Sequence, residues 1–237
     1  MKILALVHGY PPLHNAGAEW MLHEMLKHLS DQGHSCEVRL AISEIKPYKY
    51  EGVSVEKDIW KDTKKAVEGA DLIISHLDKA GRALNICELF RKPFVQLIHN
   101  TNKYDILNSK HREMNAGRFV YVVYNSEFTK NEMKYRVPGI VVHPPVDGTR
   151  YKVNNRVKRV RIQDLGPDIE TIKADKPKLT KGEKITLINL FQRKGGLFFG
   201  DLARMMPEYQ FLGVEGGYGK QEKTTLSNIS YLPNTPD

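Results

Sequence analysis

Residues Ile3 to Val7 form a short apolar run that gives way at once to His8-Gly9-Tyr10-Pro11-Pro12-Leu13-His14-Asn15-Ala16-Gly17-Ala18-Glu19. Pro11 and Pro12 can neither extend a strand nor enter a helix interior, so the chain must turn there. Beyond them, apolar residues recur at Ala18, Leu22, Met25, Leu26 and Leu29, the spacing of one helix face. A buried strand therefore delivers a Gly/Pro loop, and the loop opens onto a helix N-terminus. Such a turn can hold an anion with backbone N–H groups and the positive end of the helix dipole. Gly17, which has no Cβ, lets a phosphate or sugar come close to the backbone there.

The alternation continues down the chain. Hydrophobic patterning predicts further strands over residues 36–42, 71–75, 93–98, 119–124 and 140–142. It predicts helices over 61–70, 80–91, 104–116 and 127–135, the last capped by Asn125-Ser126. Residues 43–58 read as irregular, with one short strand at Val53–Val55. Strands separated by helices imply crossover connections and a mainly parallel sheet covered on both faces. Ligands of such sheets bind outside the carboxyl ends of the strands. Gly17, His76, His99-Asn100 and Asn125-Ser126 all fall at that edge, and together they predict a polar cleft.

Residues 148–183 hold scattered apolar positions, several prolines and many lysines, and read as a basic connection or insertion. The alternation then restarts, with strands over 184–190, 209–214 and 229–232 and a helix over 197–206. Gln192-Arg193-Lys194-Gly195-Gly196 makes a basic, Gly-rich turn before that helix, and Glu215-Gly216-Gly217-Tyr218-Gly219-Lys220 follows the second strand. The expected organisation is thus a first domain over 1–147, the basic segment 148–183, and a partial second domain over 184–237.

Composition narrows the class. With 237 residues, 41% hydrophobic and 27% charged, the chain is a soluble globular type large enough for two modest domains. It shows neither an apolar run long enough to cross a bilayer nor a leader pattern, which together suggest a cytoplasmic protein. Cys36 and Cys87 sit in apolar segments and read as reduced core residues. No Cys/His spacing suits zinc. The net charge of +8 favours anionic partners, and much of the excess lies in Arg150 to Arg161. That stretch reads equally as a solvated surface and as an anion-binding patch.

Tyr10-Pro11-Pro12 followed by Gly17-Ala18-Glu19 at a helix start resembles the N-terminal loop of family 4 retaining glycosyltransferases, with Ala16 where a first glycine usually stands. The likeness extends to Leu97-Ile98-His99-Asn100, to Val123-Tyr124-Asn125-Ser126-Glu127-Phe128-Thr129-Lys130, and to His143-Pro144-Pro145-Val146-Asp147. The strand, Lys194-Gly195-Gly196, helix and Gly-rich loop of the second half are similar to that family's nucleotide-binding domain. The resemblance implies an α/β, GT-B-like fold of two Rossmann-like parallel-sheet domains, the C-terminal one incomplete. It implies sugar transfer from a nucleotide-diphosphate sugar to an acceptor hydroxyl, retaining and metal-independent, with no cofactor. On this reading His99 is the catalytic residue, contacting the donor sugar. Gly17, Asn189, Arg193, Lys194, Gly216 and Gly217 bind the donor and its phosphates, with Asn189 standing where many members have an arginine. His14, Asn15, His76, Asn100, Asn125 and Ser126 are acceptor-side candidates, and no metal ligand is assigned.

Other chemistries fit poorly. There is no Gly-x-Gly-x-x-Gly after the first strand, no Walker spacing in Gly213 to Lys220, no Gly-x-Ser-x-Gly and no Asp-x-Asp. The family's Glu-x7-Glu segment would fall beyond Asp237, so the second domain is expected to be a fragment whose exposed edges favour a dimer or a completing chain. Two further readings stay open: a glycosyltransferase whose acceptor is nucleic acid, and a non-catalytic remnant that binds a nucleotide sugar or a partner.

Overall fold

A computed structural model describes residues 1–41, 45–101, 119–145 and 184–234. The helix expected over 104–116, the connection 148–183 with its Arg150–Arg161 patch, and the final residues 235–237 lie outside the described residues. The rest falls into two compact units, one over residues 1–145 and one over 184–234.

The first unit is built on one sheet. Its strands are β1 (Lys2–Val7), β2 (Ser35–Leu40), β3 (Tyr48–Tyr50), β4 (Val53–Lys57), β5 (Leu72–His76), β6 (Phe94–Ile98), β7 (Val120–Tyr124) and β8 (Gly139–Val141), in the order β3-β4-β2-β1-β5-β6-β7-β8. Every neighbouring pair is parallel except β3 with β4. The helices are α1 (Gly17–Asp31), α2 (Trp60–Gly69), α3 (Ala80–Phe90) and α4 (Glu127–Met133). The chain starts in the middle of the sheet, runs out through β2, then crosses back so that β5 lies on the other side of β1. Strand order reverses at that junction, which is where open α/β sheets form a crevice.

The period of two along β1 divides the core. Ile3, Ala5 and Val7 pack with Met21, Leu22 and Leu26 of α1 on one face, while Leu4 and Leu6 pack with Val67 of α2 and Ala83, Leu84 and Cys87 of α3 on the other. Cys36 belongs to the first cluster and Cys87 to the second, so the sheet separates them, and both are free and buried as expected.

Within the stretch expected to be irregular, the described residues 45–58 depart from expectation. Val53–Lys57 is a full strand, and β3 pairs with it antiparallel through a two-residue turn, Glu51-Gly52, with φ of 42° and 87°. Paired positive φ values are what the right-handed strand twist demands of a tight hairpin. The Lys, Tyr and Pro content of the stretch hides this turn, whose one legible sign is Gly52.

In the second unit, β9 (Lys184–Ile188), β10 (Gln210–Val214) and β11 (Ile229–Leu232) form a parallel sheet in the order β11-β10-β9, with α5 (Gly196–Met205) between β9 and β10. Leu190, Phe199, Ala203 and Phe211 make its core. The buried Asn228 amide donates to the carbonyls of Ala203 at 2.9 Å and Tyr209 at 3.1 Å, tying the end of α5 to the start of β11. The α/β class and the parallel sheets are thus as expected.

Candidate functional site

Three strands of the first sheet deliver a histidine to the same rim. His8 follows β1, His76 ends β5 and His99 follows β6, three adjacent strands of which β1 and β5 flank the switch point. His76 is fully buried, and its Nδ1 lies 3.0 Å from His99 Nε2, a hydrogen bond between two rings. Burial, reinforced by the neighbouring imidazoles, pushes the pKa of His76 well down. Burial likewise brings that of His99 down to about 4, against a smaller upward pull from Glu19. Both rings are therefore neutral at pH 7 and act as hydrogen-bonding groups, not as cations.

His8 differs. Its Nε2 lies 3.2 Å from Oε1 of Glu19, a carboxylate whose side chain is 2% exposed. Its Nδ1 lies 3.2 Å from Asp78 Oδ1. The bond to Glu19 raises the pKa of His8, with help from the Glu19 and Asp78 charges and against the effect of burial. His14 Nδ1 lies 3.5 Å from the same Glu19 oxygen. The His8 and His14 rings stand edge to face at 5.2 Å, and His8 is 6.0 Å from His76, so the five groups form one cluster.

The loop that opens α1 makes this meeting feasible. His14 N–H donates to Tyr10 O at 3.0 Å, folding the loop back on itself. Ala16 is the helix N-cap at φ −136° and ψ 162°, extended backbone that alanine adopts freely, so a glycine there is unnecessary. Glu19 lies in the first turn of the helix, near its positive end. Gly17 has nothing within 4 Å of where a Cβ would stand, so its surface is open to an approaching group.

The remaining expected residues divide by what their side chains touch. Asn125 donates to His99 O at 2.8 Å and accepts from Thr129 Oγ1 at 2.7 Å, holding the end of β7 against the end of β6. Ser126 is the N-cap of α4, accepting from Thr129 N–H at 3.2 Å. Both serve the scaffold of the rim. Asn15 accepts from the Trp20 indole N–H, and Asn100 is half-buried beside His99.

In the second unit the binding features are backbone and surface charge. Gln192–Lys194 is a turn of 3-10 helix whose Arg193 and Lys194 side chains are exposed. Gly195 follows at φ 95° as the N-cap of α5, and a Cβ on Gly196 would lie 1.9 Å from Leu190 O. Asn189 has φ 70°, and its Oδ1 accepts from Phe191 N–H at 3.1 Å, so it shapes the turn after β9. Gly216 packs against it, since a Cβ on Gly216 would lie 2.3 Å from Asn189 Cγ. Gln221 Oε1 accepts from Gly216 N–H at 2.8 Å and Leu190 N–H at 2.9 Å, binding the loop of Gly216 and Gly217 to the end of β9.

Sequence reasoning leaves out His8, Glu19, Asp78 and Gln221 as site residues. A signal for His8 was present, because three apolar strands each run into a histidine. Glu19 and Asp78 gave none, since their meeting with His8 is tertiary.

Comparison with known proteins gives the fold. No family model and no curated protein matches the chain. Among solved structures, Anabaena HepE in complex with UDP-glucose superposes with a TM-score of 0.62 at 18% identity, covering 98% of this chain and 69% of that one. An alpha-glucosyltransferase in complex with UDP and a 13-mer DNA containing a central A:G mismatch gives 0.53 at 11% identity, over 90% of this chain and 56% of that one. Arabidopsis thaliana UGT89C1 complexed with UDP-L-rhamnose gives 0.50 at 9% identity, over 99% and 70%. At such identities the likeness is one of fold, and the fold is that of GT-B glycosyltransferases. Among the described residues no helix is long and apolar enough to cross a membrane.

Proposed function

We propose that the chain transfers a sugar from a nucleotide-diphosphate donor to an acceptor hydroxyl, with retention at the anomeric carbon and with no metal on the diphosphate. The observation behind this reading is the polar rim at the β1/β5 switch point, in a chain folded like glycosyltransferases that bind UDP-sugars. Charge develops on the leaving diphosphate as the bond to the anomeric carbon breaks. Exposed Lys194, Arg193 and the N–H groups at the start of α5 are suited to stabilise it electrostatically. Neutral His99 would hydrogen-bond the donor sugar, positioned by His76 Nδ1 on its ring and by Asn125 on its carbonyl. The rest of the rim would receive the acceptor.

The test is a screen of UDP-, GDP- and ADP-sugars for thermal stabilisation and for nucleotide release with candidate acceptors. Stabilisation with turnover is expected. Stabilisation without turnover favours the binding remnant, and the absence of both refutes donor recognition. A nucleic-acid acceptor is a second reading, favoured by the net charge of +8. It predicts duplex binding that weakens steeply with salt.

A further inference from the structure

Glu19 is buried in the first turn of α1, and its Oε2 has no hydrogen-bond partner among the described residues. A carboxylate in that position is costly unless a cation meets it. Two imidazole nitrogens face its other oxygen, His8 Nε2 at 3.2 Å and His14 Nδ1 at 3.5 Å. His14 Nδ1 is itself buried and makes no hydrogen bond. One ligand atom from each of the three residues lies within 4.8 Å of the others. Metal–ligand bonds of about 2.0–2.1 Å at tetrahedral angles place neighbouring ligand atoms roughly 3.3 Å apart, close to the two separations found here.

Two further details match such a site. A Cβ on Gly9 would lie 2.7 Å from His14 Cγ, so glycine at this position lets the His14 ring fold back beside His8. Asp78 Oδ1 stands 3.2 Å from His8 Nδ1, on the side of the ring away from Glu19, although that buried nitrogen makes no hydrogen bond as the ring is oriented here. A small rotation of the ring on binding an ion would let this carboxylate accept from Nδ1–H, the arrangement that fixes the tautomer and aim of a ligating histidine.

The geometry points to a divalent first-row cation held by His8 Nε2, His14 Nδ1 and Glu19 at the mouth of the switch-point crevice. Two imidazoles and one carboxylate suit zinc better than magnesium, which prefers an all-oxygen shell. Three protein ligands leave a tetrahedral ion one position for water or a substrate oxygen. All three belong to the first unit, and the proposal stands whether or not the chain transfers sugars.

The full chain, without a histidine tag, is stripped with a chelator, dialysed and titrated with Co2+ as a spectroscopic probe and then with Zn2+. Expected are one equivalent bound, intense visible bands of tetrahedral cobalt, and their loss on adding one equivalent of zinc. His14→Ala and Glu19→Gln abolish the bands, Asp78→Asn weakens binding roughly tenfold, and His28→Ala binds as the unaltered chain does. If Glu19→Gln does not fold, His14→Ala decides the matter, because that ring is 30% exposed. Absence of bands and of zinc uptake overturns the proposal and leaves a proton on His8 as the charge that meets Glu19. Uptake undiminished in His14→Ala overturns it equally.

Discussion

The two units assemble polar groups in opposite ways. The first buries side chains along the rim of its strand ends and the start of α1: His76, Glu19 and the partly covered His8, His14 and His99. The second leaves Arg193 and Lys194 in solvent and relies on backbone shape, with Gly195 at φ 95°, Gly196 pressed on Leu190 O, and Gly216 held by Gln221. A site made of buried side chains depends on desolvation, so titration should disturb it. A site made of backbone depends on missing Cβ atoms, so small steric additions should disturb it.

Glycine substitutions test this contrast most severely. Gly196→Ala should cost about 3 kcal/mol or more and unfold the second unit, because the new Cβ meets backbone that cannot yield. Gly17→Ala should leave stability within about 1 kcal/mol, since its Cβ meets nothing, and should lower ligand affinity if that surface is a binding face. Equal denaturation midpoints for the two variants would break the comparison.

Activity comes next. If the chain transfers sugars, His99→Ala and Lys194→Ala should each lower kcat/KM by about 10²–10³-fold. Arg193→Ala should have a smaller effect if Lys194 carries the charge at the diphosphate. Turnover like that of the unaltered chain in either of the first two would remove the role assigned to that residue.

The pH dependence of stability sharpens the side-chain half. His99 is held at about 4 in the folded chain against an ordinary 6.5. Below pH 6.5 the unfolded chain takes up a proton that the folded chain refuses. Stability is therefore fully present above that pH and falls progressively toward pH 4, by on the order of 3 kcal/mol. His76 adds a loss of the same sign. Urea melts of His99→Gln between pH 7 and 4 should show a shallower decline, and an unchanged slope would refute the assignment.

The smallest effect belongs to the exposed Lys64–Glu68 pair on α2, 3.8 Å apart. Lys64→Ala should shift stability by less than about 0.5 kcal/mol. A larger change would mean that this pair contributes more than an exposed ion pair ordinarily does.

Much of the architecture was legible because it rests on local periodicity. The apolar alternation of β1, the spacing of Leu22 and Leu26 on α1, and the Ser126 cap each depend on residues close in sequence. Expected element ends fall within a few residues of the observed ones, as for the helix expected over 197–206 and found at Gly196–Met205. The hairpin at Glu51-Gly52 escaped because its signal is a pair of backbone angles that Glu does not advertise.

By itself the sequence determined the parallel α/β plan, the histidines at the ends of several strands and the glycines beside Lys194, since buried strands and helix faces leave a period that can be counted. The meeting of His8, His14, Glu19 and Asp78 was decided by the tertiary structure alone. So was the conversion of His76 and His99 into neutral hydrogen-bonding rings. Contact between distant strand ends and exclusion of water depend on how the whole sheet is assembled, and no local pattern records either.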